Sequence, residues 1–338
     1  MTVHSGLEHR ETALEPALPI IDPHHHLWPR PVISYGPQQL YLIDALLADT
    51  TAGHDIRATV HVECSSGYRT TGPQVLRPVG ETAWVIGQRR PGRGELAGIV
   101  GYADLRLGDR IGAVLDAHQE IAGHAFRGIR TRATWNPSHD VSSAAEDGLL
   151  LSSAAGPSLR QLQRRGLLFE VWVYFNQLDD VARVAEDNPD LPIVVDHLGS
   201  PLATGAAYRG QRDGVLARWR RSLRRLAGLG NVHLKIGGIG IPSVVDPRLT
   251  QAPVTSAALA DFWGPEIGFC IDAFGPARCM FESNFPVDAY LCDYVTLWNT
   301  YKRVSADLSA FERDALFRTT ALTVYGLDLP TSHPEVPA

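Results

Sequence analysis

The run Ile20-Ile21-Asp22-Pro23-His24-His25-His26-Leu27-Trp28 carries the densest chemistry in the chain. In an extended strand, successive side chains alternate faces. On that pattern Asp22, His24 and His26 share one face, and Pro23 and His25 point the other way. Two imidazoles two residues apart can meet one small cation or one substrate group. The bland alternative is a polar turn after a strand, with the histidines solvated.

Other chemistry-bearing residues fall at the ends of apolar runs. His61 and Glu63 end a second run, Arg130 a fourth, and Asn176 and Gln177 follow a fifth. Asp196 and His197 end a sixth, Lys235 lies near the end of a seventh, and Glu282, Asn284 and Asp288 lie on or after an eighth. An arginine fork there suits a substrate carboxylate. His61, Glu63 and Lys235 also read as internally satisfied polar groups, and Arg130 as one half of an ion pair. His54, His118, His124, His139 and His233 fall on helices, loops or outward positions and read as structural. Trp172 and Tyr174 read first as core, with Tyr174 close to a strand end, and Cys64 as a lining residue without chemistry.

The runs that carry these residues alternate with helical spacing. Strands are expected at Ile56–Glu63, Leu96–Tyr102, Phe126–Arg130, Leu167–Phe175, Pro192–His197, Asn231–Ile236 and Arg278–Asn284, after the first at Ile20. Runs rich in Val and Ile with helical crossovers mean a covered parallel sheet. Eight such units predict a single-domain (β/α)8 TIM barrel with long βα loops. Strand C-terminal ends build the site of such a barrel, so the polar residues above would meet at one mouth. No G-x-G-x-x-G follows the first strand and no P-loop occurs, against dinucleotide and nucleotide-phosphate folds. Residues 1–18 read as a flexible N-terminal segment, 19–327 as the barrel, and 328–338 as a C-terminal tail. Specificity would lie in the loops 29–40, 64–80 and 131–157, the first marked by Pro31, Gly36 and Pro37.

Composition narrows the partners. The 338 residues are 44% hydrophobic and 20% charged, as in ordinary globular proteins, and the formal charge of −6 argues against nucleic acid or anionic membrane. No stretch approaches the ~20 apolar residues of a membrane span, and the N-terminus has no secretory apolar core. Four cysteines without a C-x-x-C pair read as reduced thiols, which gives a cytoplasmic expectation. A small-molecule substrate is the expected partner. The sequence leaves the oligomeric state open, a homo-oligomer included.

Three stretches together resemble the amidohydrolase superfamily, specifically its amidohydrolase-2 branch of TIM-barrel metal-dependent hydrolases with lactonases among them. They are Asp22-Pro23-His24-His25-His26, Asp196-His197-Leu198-Gly199-Ser200-Pro201 and Phe281-Glu282-Ser283-Asn284-Phe285-Pro286. The resemblance implies His24, His26 and His197 as ligands of a divalent metal, zinc first and manganese as the alternative, with metal-free operation left open. It implies a substrate contact at Arg130; Gln177, Lys235 and Tyr174, at or near strand ends, are the further substrate contacts expected. It also implies an aspartate at the end of strand eight as proton acceptor, where this chain has Asn284. An amide cannot act as a base near neutral pH. Asp288 could take the part only if the loop after Pro286 folds back. The expected activity is hydrolysis of a small carboxylated lactone or related cyclic ester or amide. The alternatives are a non-hydrolytic lyase, such as a decarboxylase of an unsaturated or aromatic acid, and a barrel that binds a ligand without turnover.

Overall fold

The computed structural model describes residues 11–29, 40–90, 92, 94–202, 208, 210–250 and 253–328. Most of the loop 29–40, with Pro31 and Pro37, and the tail beyond 328 lie outside the described residues. So do the first ten residues of the expected lead-in.

The eight strands form one parallel sheet in sequence order: β1 (Pro19–His25), β2 (Asp55–Val62), β3 (Glu95–Gly101), β4 (Phe126–Arg132), β5 (Leu168–Trp172), β6 (Ile193–Val195), β7 (Val232–Ile236) and β8 (Cys279–Phe281). The barrel is closed by the segment after β8. His26 N donates to Phe285 O at 2.7 Å, and Asn284 N to His24 O at 2.9 Å. The expected TIM barrel is therefore the observed fold.

Helices cover the outside because their apolar residues recur at helical spacing. In α5 (Leu178–Asp187), Leu178, Val181, Ala182 and Ala185 are buried, while Asp179 and Asp180 sit in the first turn, where the helix dipole favours negative charge. Each fully buried Val, Leu or Ile of this kind is worth about 1.5–3 kcal/mol against its exposed state.

Inside the barrel, the layers run from apolar to charged. Ile21, Val60, Leu168, Val194 and Met280 form one interior cluster, joined by Ala321 and Tyr325 of the C-terminal helix α10 (Thr320–Tyr325). Period-two alternation then puts Arg130, Glu170, Asp196, Lys235 and Glu282 in or just above the next layer. All five are buried.

Strict alternation fails in β1. Its register with β2 shifts between Asp22 and His25, as at a β-bulge. Ile21 packs in the interior cluster, yet Asp22 accepts hydrogen bonds from Tyr294 Oη (2.9 Å) and Ser283 N (3.0 Å). Asp22 therefore does not share a face with His24 and His26. It ties the strand to α8 (Tyr294–Val304) and to the end of β8. His61 also departs from expectation. Ala58, Val60 and Val62 face inward, so His61 faces the helix layer and α2 (Val79–Gln88).

Residues 11–18 lie against the barrel. Glu11 accepts from Ser256 N at 2.7 Å, and Lys302 Nζ donates to the carbonyls of Leu14 and Glu15 at 2.7 and 2.8 Å. Among the described residues, no helix is long and apolar enough to cross a membrane.

Candidate active site

A cavity of about 420 Å³ opens at the C-terminal ends of the strands. Its base presents His26, His197 and Asn284; Arg130 and Arg132 stand on one side, and Trp28, Trp172 and Tyr174 form apolar wall.

The three predicted histidines converge. The His24 ring centroid lies 4.9 Å from that of His26 and 4.7 Å from that of His197. His24 Nε2 and His26 Nε2 are 3.3 Å apart. His26 Nδ1 donates to Val62 O at 2.8 Å, which leaves its Nε2 as a lone pair. His24 Nδ1 has two competing neighbours, Glu282 Oε2 at 2.7 Å and Lys235 Nζ at 3.1 Å. If Lys235 donates, His24 carries its proton on Nε2 and hydrogen-bonds His26. If Glu282 accepts, two lone pairs face each other across 3.3 Å. Two nitrogens ~2.05 Å from a tetrahedral zinc ion would stand ~3.3 Å apart. The pair therefore fits either a proton or a cation between the rings.

The charge balance favours the cation. Arg130 Nε donates to Glu63 Oε1 at 2.8 Å, and Lys235 Nζ to Glu170 Oε1 at 2.6 Å. Asp196 reaches those two bases only at 3.6 Å each, and among the described residues neither of its oxygens has a hydrogen-bond partner; Glu282 Oε2 meets only His24 Nδ1, at 2.7 Å. Two buried carboxylates in excess over bases suit a divalent ion. Without one, burial followed by the nearby Glu170 charge pushes the Asp196 carboxyl well above the usual carboxylate range. Burial, then the Lys235 charge, holds His24 well below the usual imidazole range, and burial, then Arg130, does the same for His26. Both are neutral near pH 7, the state a metal ligand needs.

His197 is set by a costly turn. His197, Leu198, Gly199 and Ser200 all have left-handed φ, between 44° and 63°. For non-glycine residues this costs roughly 1–2 kcal/mol each. The turn lets both the backbone N–H and Nδ1 of His197 reach Glu282 Oε1, at 3.1 and 2.7 Å. Gly238, at φ +64°, makes the space, since a Cβ there would stand 2.5 Å from His197 Cβ. Among the described residues, ligand atoms of His24, His197 and Glu282 lie within 4.8 Å of one another. His26 joins this group through its contact to His24.

Two expected substrate contacts are placed elsewhere. Gln177 does not line the cavity; its Oε1 accepts from Trp135 N at 2.8 Å and its Nε2 donates to Ala133 O at 2.7 Å, so it ties the β4 and β5 loops together. Lys235 lies in the charged layer below the cavity, bound to Glu170 and His24. Arg130 does line the cavity although Glu63 holds one edge of it, and Tyr174 lines it with Oη on Ser142 O at 2.7 Å. The loop after Pro286 does fold back: Asn284 Nδ2 donates to Asp288 Oδ1 at 2.8 Å. Asp288 nevertheless stands behind Asn284 and not in the cavity wall. Sequence reading missed Glu170 and Arg132. The signal for Glu170 was a single acid inside the apolar run Leu168-Phe169-Glu170-Val171-Trp172.

A family model described as Amidohydrolase matches residues 21–327. The chain is 32% identical over 322 residues to the uncharacterized protein y4mH of Sinorhizobium fredii, covering 90% of this chain and 98% of that one. It is 30% identical over 322 residues to the L-fucono-1,5-lactonase of Burkholderia multivorans, covering 92% and 97%. A crystal structure of a Burkholderia multivorans amidohydrolase with bound zinc is 26% identical, with a TM-score of 0.71, over 91% of this chain and 99% of that one.

Proposed function

From the premise that the chain belongs to the amidohydrolase family, we propose that it hydrolyses a small carboxylated lactone. The supporting observation is the cavity itself, where His26 and His197 face a space walled by two guanidiniums and three aromatic rings. Flat apolar wall suits the ring of a lactone, and a guanidinium fork suits its carboxylate. Arg132 is the freer of the two guanidiniums, with its side chain 39% exposed and its NH2 group on Ser65 Oγ at 2.6 Å.

His24 and His26 would hold a divalent ion, zinc first, which supplies Lewis-acid polarisation of the substrate carbonyl. The remaining work falls to the chain. Glu282 Oε1 accepts the Nδ1 proton of His197 and leaves Nε2 as the lone pair. His197 then takes the proton of the attacking water, and Glu282 stabilises the imidazolium. The water oxygen bonds to the carbonyl carbon, the ring C–O bond breaks, and His197 returns the proton to the leaving alkoxide. The product is the open hydroxy acid.

Asn284 cannot accept that proton, and Asp288 lies behind it. Asp288 is therefore assigned the fixing of the Asn284 amide, which directs the incoming water. Turnover of a panel of neutral and carboxylated lactones in heavy-oxygen water tests the reading. One labelled oxygen per product carboxylate is expected. No turnover of any lactone by metal-replete or chelated protein overturns it. The amide at the strand-eight position favours one other reading, a decarboxylating lyase, which would release carbon dioxide without solvent oxygen in the product.

A further inference from the structure

We propose that His61, Cys64 and Glu81 form a second cation site, separate from the histidines of the cavity, for a zinc-class divalent ion. It lies between the outward face of β2, the turn that follows it, and α2. Cys64 Sγ is 3.3 Å from Glu81 Oε1, and His61 Nε2 is 3.5 Å from the same oxygen. One ligand atom from each residue lies within 4.8 Å of the other two. All three side chains are buried.

The unpartnered atoms are the independent observation. Among the described residues, neither ring nitrogen of His61 has a hydrogen-bond partner, and Glu81 Oε2 has none. A buried donor or acceptor left unsatisfied is costly, so this group leaves several such costs open in one place. The other carboxylate oxygen is firmly set. Glu81 Oε1 accepts from Cys64 N at 2.9 Å and Ser66 N at 3.3 Å. These bonds orient the carboxylate as outer-shell bonds orient a ligand.

The donor chemistry selects the ion. Imidazole, thiolate and carboxylate together suit zinc, with a fourth position for water. The thiolate and carboxylate carry two negative charges, so a divalent ion there is buried with no net charge. On binding, the Cys64 thiol gives its proton to solvent and no electron moves. Cys64 also lines the cavity, which supplies an entry path. The same turn carries Glu63, which holds Arg130, and Ser65, which holds Arg132. Filling the site would fix the turn that positions both cavity guanidiniums.

Cobalt titration of chelated full-length protein tests the proposal. A thiolate-to-cobalt charge-transfer band in the near ultraviolet is expected. It should be displaced by zinc, lost in Cys64→Ser and His61→Asn, and retained in the His24→Asn/His26→Asn double variant. Elemental analysis should find one zinc fewer per chain in Cys64→Ser than in the parent. Absence of the band in the parent overturns the proposal, as does a band lost in the double variant but kept in His61→Asn. If Cys64→Ser does not fold, His61→Asn and Glu81→Gln carry the same reading.

Discussion

Asn284 donates its amide N–H to Asp288 across 2.8 Å, and both side chains are buried. The short turn between them is closed by Val287 N on Asn284 O at 2.9 Å. Asn284 sits at φ +52°, a region that asparagine enters more readily than most residues. Burial pushes the Asp288 carboxyl well above the usual range, and the Asn284 amide works against that push. Asn284→Asp replaces the amide donor with a second acid, and two carboxyls at this spacing must share a proton. The variant should lose about 1–3 kcal/mol of stability near neutral pH, and the loss should shrink on acidification. Urea unfolding of parent and variant at a neutral and an acidic pH reads this directly. An equal loss at both would mean the pair is not coupled.

His24 and His26 are assigned to a cation and His197 to proton transfer, so their variants should separate. His24→Asn and His26→Asn should each lower bound zinc and turnover together. His197→Asn should keep its zinc and lower kcat by roughly 10²–10⁴-fold, the usual contribution of a general base. Elemental analysis beside steady-state kinetics distinguishes the two. Loss of zinc in His197→Asn would make it a ligand instead.

Gly238 tests how far the site depends on the loop after β7. An alanine there must adopt φ +64° and stand 2.5 Å from His197 Cβ. Two penalties add, an unfavourable backbone region and a displaced catalytic imidazole. Gly238→Ala should cost more than about 1 kcal/mol in thermal or urea unfolding. Its kcat should fall with little change in bound zinc, since the shift falls on His197 and leaves His24 and His26 in place. A variant with unaltered kcat would show that His197 is not held where the backbone puts it.

The barrel was legible because eight apolar runs with helical crossovers admit few topologies, and strand-end polarity marked its mouth. What escaped was set by irregular backbone. The bulge in β1 turned Asp22 away from His24, and Pro23 at that shift was the residue that could have marked it. Gln177 and Lys235 carried the right chemistry at strand ends, but their hydrogen bonds go to loop carbonyls and to Glu170. Glu170 itself lay inside a run read as purely apolar. A strand-interior acid signals a buried partner, here Lys235 and Tyr325, the latter from a helix almost at the end of the described chain.

Asp22 carries a prediction about pH. It is fully buried, and burial raises its pKa from 3.8 to about 6 against the hydrogen bonds from Ser283, Tyr294 and His24. Between those two values the folded chain holds a proton that the unfolded chain has released. Stability therefore falls as pH rises through that window, and by its upper end the change amounts to about 3 kcal/mol. Above it the carboxylate is charged in both states and this contribution is flat. Asp22→Asn removes the titration and also exchanges an acceptor for a donor beside Ser283 N, so above that window its stability lies about 1–3 kcal/mol below the parent's. The slope is the discriminating quantity. The difference in unfolding free energy between parent and variant should narrow steadily from about pH 4 to pH 6 and then hold constant. A difference that stays flat over that range would mean Asp22 is ionised throughout, with its three donors outweighing its burial.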